Sequence, residues 1–293
     1  MKLDVLVVDD KNQPVVDLRQ EDFQVFEGDS PQTVSYFAKV DSAVSYGLLL
    51  DNSGSMKTQL GSLARAGETI IRSNGPGDET MLIRFISSGK IELLEDFSSD
   101  KEVLLKALKT MYTEGGRTAV IDAIYVAAES LRQRKADEDP ALRRRSLVLV
   151  TDGEERGSSY SKEKLIKFLR TSDIQILIIG MVSELDKEGH MFPQLSAHDK
   201  AVALLKELAQ ETGGHVLFTD KKSDLSDAAT KVASYLHTRY VIGYNPTGQP
   251  RKDPYRKVRV KLVEAPGRTK LKVITRPGYV VQRQAVDGKL RQP

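Results

Sequence analysis

The chain has 293 residues, of which 40% are hydrophobic and 29% charged, the balance of a globular protein with proper cores rather than of a disordered one. It contains no cysteine, which excludes disulfides, thiolate metal sites and cysteine nucleophiles. No apolar run reaches the ~18–20 residues needed to cross a membrane. The net charge of +3 conceals an uneven distribution, with −4 over residues 1–40 and +10 over residues 240–293. Such a basic segment can contact a polyanion or dock against the acidic N-terminus of its own chain.

Residues 1–40 have no helical period. Lys2–Val8 alternates, with Leu3, Val5 and Val7 on one face, and Phe23–Phe26 and Thr33–Phe37 read as further strands separated by turns. Residues 1–9 are too short and too acidic for a signal peptide; they are expected to be a strand behind an initiator Met, as in a chain trimmed of its leader. Three short strands cannot bury a core by themselves, so they need partners from elsewhere.

From Ser45 to Leu236 strands alternate with helices. The expected strands are Tyr46–Leu50, Met81–Ile86, Ile91–Leu94, Ser146–Val150, Ile174–Ile179 and Val216–Phe218. The expected helices are Lys57–Ser73, Lys101–Lys109, Ala119–Arg134, Lys162–Arg170, Lys200–Thr212 and Leu225–Leu236. This order implies an α/β domain with a doubly wound, mostly parallel sheet between helices. Ligands of such sheets bind beyond the carboxyl ends of the strands, where the strand order reverses. Arg143–Arg145 reads as an exposed loop, and Ser183–His198 as a long loop of the kind that carries binding function.

Beyond Tyr240 the strand pattern returns. Arg256–Val263 places Val258, Val260 and Leu262 on one face and Lys257, Arg259 and Lys261 on the other. Lys270 and Lys272 alternate similarly with Leu271 and Val273, and Tyr279–Val281 closes the set. Residues 1–42 and 239–282 are therefore expected to share one small all-β sandwich, with the α/β domain of residues 43–238 inserted between them and a flexible tail over 283–293.

Three clusters of oxygen-bearing side chains stand at predicted strand ends or helix starts. Asp51, Ser53 and Ser55 follow the first buried strand at alternate positions; small oxygen donors of this type suit a hard cation such as Mg²⁺. Glu114-Gly115-Gly116-Arg117-Thr118 precedes a helix, where Thr118 alone would usually be an N-cap, and Asp152-Gly153 follows the central strand, where it alone would be a turn. The serines, too, could simply cap the next helix. All three clusters in this order are less easily explained by capping.

Together they resemble the von Willebrand factor type A domain and its metal-ion-dependent adhesion site. The D-x-S-x-S motif reads Asp51-Asn52-Ser53-Gly54-Ser55, the threonine loop Gly115-Gly116-Arg117-Thr118, and the later aspartate Asp152. The flanks resemble a bacterial group in which such a domain interrupts a small β-domain, through Val16–Phe26, Arg239–Tyr244 and Arg276–Tyr279. The resemblance implies a Rossmann-like sheet and a divalent cation, Mg²⁺ first and Mn²⁺ or Ca²⁺ as alternatives. Ser53 and Ser55 would hold it directly, Thr118 directly or through water, and Asp51 and Asp152 through water or by bonding the hydroxyls. A partner protein would supply an Asp or Glu to the open position. It implies an exported protein, periplasmic or secreted, that is not an enzyme.

Two other readings compete. A metal-assisted phosphohydrolase could use Asp51 as nucleophile, yet position 53 is Ser where a second carboxylate is needed, and no phosphate-binding glycine motif appears. The four histidines, His190, His198, His215 and His237, are scattered rather than paired at ligand spacing. A nucleic-acid or anionic-surface binder could use Lys257, Arg259, Lys261, Lys270 and Lys272, but no aromatic platform interleaves them and no nucleic acid is expected.

Overall fold

The computed structural model describes residues 1–40, 42–134, 144–185, 195–219, 224–247, 254–264 and 270–281. In chain order these form β1 (Lys2–Val8), β2 (Phe23–Glu27), β3 (Ser30–Gln32), β4 (Val34–Val40), β5 (Val44–Asp51), α1 (Leu60–Arg72), β6 (Glu79–Ser87), β7 (Lys90–Ser98), α2 (Lys101–Leu108) and α3 (Val120–Gln133). There follow β8 (Arg144–Thr151), α4 (Lys162–Thr171), β9 (Ile174–Gly180), α5 (Ala197–Thr212), β10 (His215–Phe218), α6 (Asp224–His237), β11 (Arg239–Tyr244), β12 (Tyr255–Leu262), β13 (Lys272–Ile274) and β14 (Gly278–Val280).

Every residue of β5 and of β9 is buried, because successive side chains point into two separate cores. Tyr46, Leu48 and Leu50 of β5 join α1, α2 and α6 on one side; Leu49 joins α3, α4 and α5 on the other. The sheet runs β10-β9-β8-β5-β6-β7, parallel except for β7. Strands added after β5 go to one side as β6 and β7, and those from β8 onward go to the other. The order therefore reverses between β5 and β8, the two central strands.

The terminal segments pair with each other as β13-β1-β11-β4 and β14-β12-β2-β3. Leu3, Val5 and Val7 face Phe23, Val25, Val258 and Val260 across the sandwich. Leu6 and Val8, on the opposite face of β1, enter the α/β core beside α6. The acidic and basic ends of the chain meet here, Arg256 lying 3.5 Å from Glu27 and Arg259 3.9 Å from Asp29.

Some expectations change. Residues Gly54–Gln59 form a 3-10 turn ahead of α1 rather than its first helical turns. Arg239–Tyr244 is a strand between β1 and β4, which an alternating pattern does not mark because nearly all its residues are buried. Arg144 and Arg145 are half-buried residues of β8 that pair with Val44 and Ser45, because the strand is longer than its apolar run. Arg143 lies outside the described residues, as do residues 186–194 of the expected long loop and the tail 283–293. That loop is shortened from both ends, by a 3-10 turn over Val182–Glu184 and by α5, which starts at Ala197. Among the described residues no helix is long and apolar enough to cross a membrane.

Candidate metal centre

The site lies at the carboxyl ends of β5 and β8, whose register pairs Leu50 with Val150. Asp51 is therefore one step from Thr151 and Asp152 across the point where strand order reverses. Asp51 is 0% and Ser53 1% exposed, whereas Ser55 is exposed, so the cluster is buried at its carboxylate and open at its outer hydroxyl.

Three loops are stitched around it. The Asn52 amide N–H donates to the Phe85 carbonyl at 2.8 Å and its side-chain Nδ2 to the Tyr112 carbonyl at 2.8 Å, while Glu114 N–H donates to the Asn52 carbonyl at 3.2 Å. The Thr118 carbonyl accepts from Arg156 N–H at 2.9 Å and Gly157 N–H at 3.0 Å, joining the threonine loop to the one after β8. A side chain at Gly157 would sit 2.6 Å from the Arg117 carbonyl, so this approach requires glycine. Gly153 turns the chain with φ 76°, packed against Leu205 and Ala201 of α5.

Thr118 does not cap α3. The N-cap is Ala119 with no side-chain bond, and Ile121 N–H instead donates to Glu155 Oε2 at 2.9 Å. Nor does Ser53 cap the 3-10 turn that it precedes. Asp122, 3% exposed, accepts from Ser88 Oγ at 2.5 Å and from the N–H groups of Ser159 and Tyr160 at 2.8 Å each. The sequence reading missed Thr151, Asn52, Asp122 and Glu155. The acidic pair Glu154-Glu155 directly after Asp152-Gly153 was the available signal for Glu155.

The electrostatics follow from burial. Asp51 Oδ1 accepts from Ser53 N–H at 3.0 Å and Oδ2 from the Thr151 hydroxyl at 2.5 Å. Asp152 Oδ1 accepts from Glu154 N–H at 2.9 Å. Burial, and then the negative charge of Asp152, push the Asp51 carboxyl up to about 7 against the pull of these hydrogen bonds. Ser53 Oγ and Ser55 Oγ stand 3.1 Å apart. Adjacent ligands of an octahedral Mg²⁺ with bonds of about 2.1 Å stand roughly 3 Å apart, so the hydroxyl pair fits that ion. A cation would also offset the two carboxylates. Among the described residues no three His, Cys, Asp or Glu side chains cluster as a ligand set, so an ion here must draw on hydroxyls. Three histidines have other partners: His237 bonds Asp78, His215 bonds Asn12 and His198 bonds Asp199.

Of the five residues singled out, Asp51, Ser53, Ser55 and Asp152 share this edge, and Thr118 stands on the loop held against it. Residues 47–155 match the family model of the von Willebrand factor type A domain. No curated protein matches the chain. Among solved structures, a von Willebrand factor type A protein from Catenulispora acidiphila is similar with a TM-score of 0.53 and 12% identity, over 87% of this chain and 73% of the other. The pilus adhesin SpaC from Lactobacillus rhamnosus GG, in an open conformation, gives 0.53 at 14% identity over 79% of this chain and 35% of its own. The vWF domain of the type V pili tip protein Mfa5 from Porphyromonas gingivalis gives 0.50 at 11% identity, over 67% and 96%. At these identities the likeness is one of fold, and this chain spans about a third of SpaC.

Proposed function

We propose that this chain, which carries a von Willebrand factor type A domain, uses it as a metal-dependent protein-binding module. The observation that supports this reading most directly is the Ser53–Ser55 hydroxyl pair at 3.1 Å, set beside two carboxylates at the switch point of the sheet. Ser53 and Ser55 would hold a divalent cation, Mg²⁺ in preference to Mn²⁺ or Ca²⁺, with Thr118 completing the hydroxyl set. Both oxygens of Asp51 already accept hydrogen bonds, which suits a role through water or through the hydroxyls rather than a direct one. When bound, the ion supplies an electrophilic open position for an Asp or Glu of a partner protein. Ser55, the exposed member, marks the side from which that residue approaches.

A binding role fits this site better than hydrolysis. Asp51 is fully buried with both oxygens engaged, so it presents no free face to a phosphorus centre. The basic face of β12 is exposed, yet Arg259 approaches Asp29, and the neighbouring Phe26 ring already holds Arg259 and Lys261 as cation–π partners at 5.3 and 5.8 Å rather than standing open for base stacking, which fits a solvated face. The pilus and adhesin neighbours support a periplasmic or extracellular setting.

The test is a thermal melt of wild type and Asp51→Ala in EDTA and with Mg²⁺, Mn²⁺ or Ca²⁺ titrated in. Saturable stabilisation of the wild type alone is expected, about 2.7 kcal/mol at a hundredfold excess over Kd. No wild-type shift at millimolar metal, or an equal shift in the variant, overturns the reading.

A further inference from the structure

The six-stranded sheet ends on β10, and a groove of about 490 Å³ runs along that edge. Its walls are β10, the second half of α5 and β13, and its lining includes Lys206, His215, Val216, Phe218, Lys272 and Val273. We propose that this groove takes an extended acidic segment of a partner protein, which adds to the sheet as a further strand beside β10. None of the proposed metal ligands lines the groove, and the contact does not depend on the metal-dependent reading above.

The backbone provides for strand addition. β10 pairs with β9 alone, in parallel, His215 to Phe218 lying opposite Leu177 to Gly180. The Thr219 N–H extends that ladder to the Gly180 carbonyl at 2.9 Å, which fixes the alternation. His215 and Leu217 therefore face β9, while Val216 and Phe218 turn their N–H and C=O groups outward. Each of these two residues offers one donor and one acceptor to an incoming strand. The opposite edge of the sheet is closed to such pairing: β7 breaks register with β6 at three places and carries Glu92, Glu95 and Asp96. β10 has neither a bulge nor a proline.

Charge selects the occupant. Lys206 comes from α5 and Lys272 from β13, so each of these walls carries a cation. Among the described residues no Asp or Glu lines the groove. The acidic residues on the same stretch of α5, Glu207 and Glu211, are drawn away to Lys162 and Arg170 on α4. Burial, and then the charge of Lys272, push His215 down to about 4, so it adds no charge at neutral pH. The Lys206 ammonium lies over the Phe218 ring, 5.8 Å from its centroid, which keeps it beside the open edge. Lysines placed so repel a basic or uncharged strand that cannot satisfy them, and attract one that brings carboxylates.

The test uses the full chain in EDTA, titrated by NMR with three peptides. These are Gly-Glu-Val-Glu-Val-Glu-Gly, its counterpart with Lys for Glu, and the acidic peptide N-methylated at every Glu and Val. The acidic peptide should slow amide exchange at Val216 and Phe218 about tenfold, and the other two should bind at least about tenfold more weakly. Lys206→Glu and Lys272→Glu should each weaken the acidic peptide about tenfold. Val216→Pro removes one outward N–H, leaves the ladder with β9 intact and should weaken it similarly. Equal binding of the N-methylated peptide overturns strand addition, and equal binding of the Lys peptide overturns the acidic partner. No binding of the acidic peptide at millimolar concentration, or unchanged exchange at both amides, overturns the proposal as a whole. Protection of those amides that rises with protein concentration alone overturns it in favour of a second copy of this chain.

Discussion

Thr151 gives its hydroxyl proton to Asp51 across the two central strands, 2.5 Å from oxygen to oxygen, and the same hydroxyl accepts the Gly153 N–H at 2.9 Å. One small side chain thus orients the innermost carboxylate and the turn that presents Asp152. Replacing it by valine keeps the shape and removes both bonds. Thr151→Val should cost about 1–3 kcal/mol, the penalty for leaving buried partners unpaired, and should weaken Mg²⁺ binding about tenfold. Thr151→Ser should restore both. Melts in EDTA and a metal titration of the three proteins read this; unchanged metal affinity in the valine variant would remove Thr151 from the site.

Without metal, Asp51 is a liability to the fold. Its carboxyl is pushed up to about 7 by burial and by Asp152, well above the value of an unfolded aspartate. The stability linked to such a group is present below the unfolded value and lost as pH rises through about 7. Asp51→Asn should therefore stabilise the protein in EDTA by roughly 1–3 kcal/mol at pH 8 and by less at pH 5, where only part of the loss has accrued. Added Mg²⁺ should close the gap by stabilising only the wild type. Chemical denaturation at the two pH values checks this, and an asparagine variant less stable than wild type at pH 8 in EDTA contradicts it.

How much of this was legible in the sequence depends on the distance between partners. β5, β8 and β9 could be read because burial on both faces leaves unbroken apolar runs. Asp51, Ser53 and Ser55 could be read because they are nearly contiguous. The shared sandwich could be inferred because neither terminal segment has enough strands to bury a face alone, although β11 at its centre shows no alternation. Thr151 was illegible because it acts on a residue 100 positions earlier, and Asp122 because its donors include Ser88 and Tyr160. The 3-10 turn over Gly54–Gln59 was hidden because an apolar helical face follows it directly.

At the far end of the α/β domain, α6 is tied down by a titrating pair. His237 Nε2 lies 2.7 Å from Asp78 Oδ2. The hydrogen bond with Asp78 raises His237 above its usual range against the effect of burial. Burial alone would raise Asp78, but bonds from His237, Val44 N–H and Gly75 N–H outweigh it and hold it low. The histidine contribution is complete below its unfolded value near 6.5 and is lost as pH rises through the higher folded value; the aspartate contribution is present above its unfolded value and lost in acid. The pair is therefore strongest around pH 5–6. His237→Gln should cost roughly 1–2 kcal/mol there and progressively less toward pH 9, read from paired melts across pH. A cost that is constant with pH would show that packing, not charge, holds the helix end.

Asp122 tests whether the metal edge depends on support from outside it. It binds no residue of the Asp51–Ser55 segment, yet its carboxylate gathers Ser88 from the β6–β7 turn and two backbone N–H groups from the loop after β8. That loop in turn holds the Thr118 carbonyl through Arg156 and Gly157. Removing the carboxylate leaves two backbone donors at Ser159 and Tyr160 without their acceptor, so Asp122→Ala should cost about 2–4 kcal/mol. Because the loop then loses its fixed position, amide exchange at Ser159 and Tyr160 should accelerate and Mg²⁺ affinity should fall about tenfold although no proposed ligand has changed. Asp122→Asn, which keeps one acceptor oxygen, should lie between the two proteins. Lower stability with unchanged exchange at those two amides and unchanged Mg²⁺ affinity would mean that Asp122 serves the helix alone and that the threonine loop is positioned by its remaining bonds.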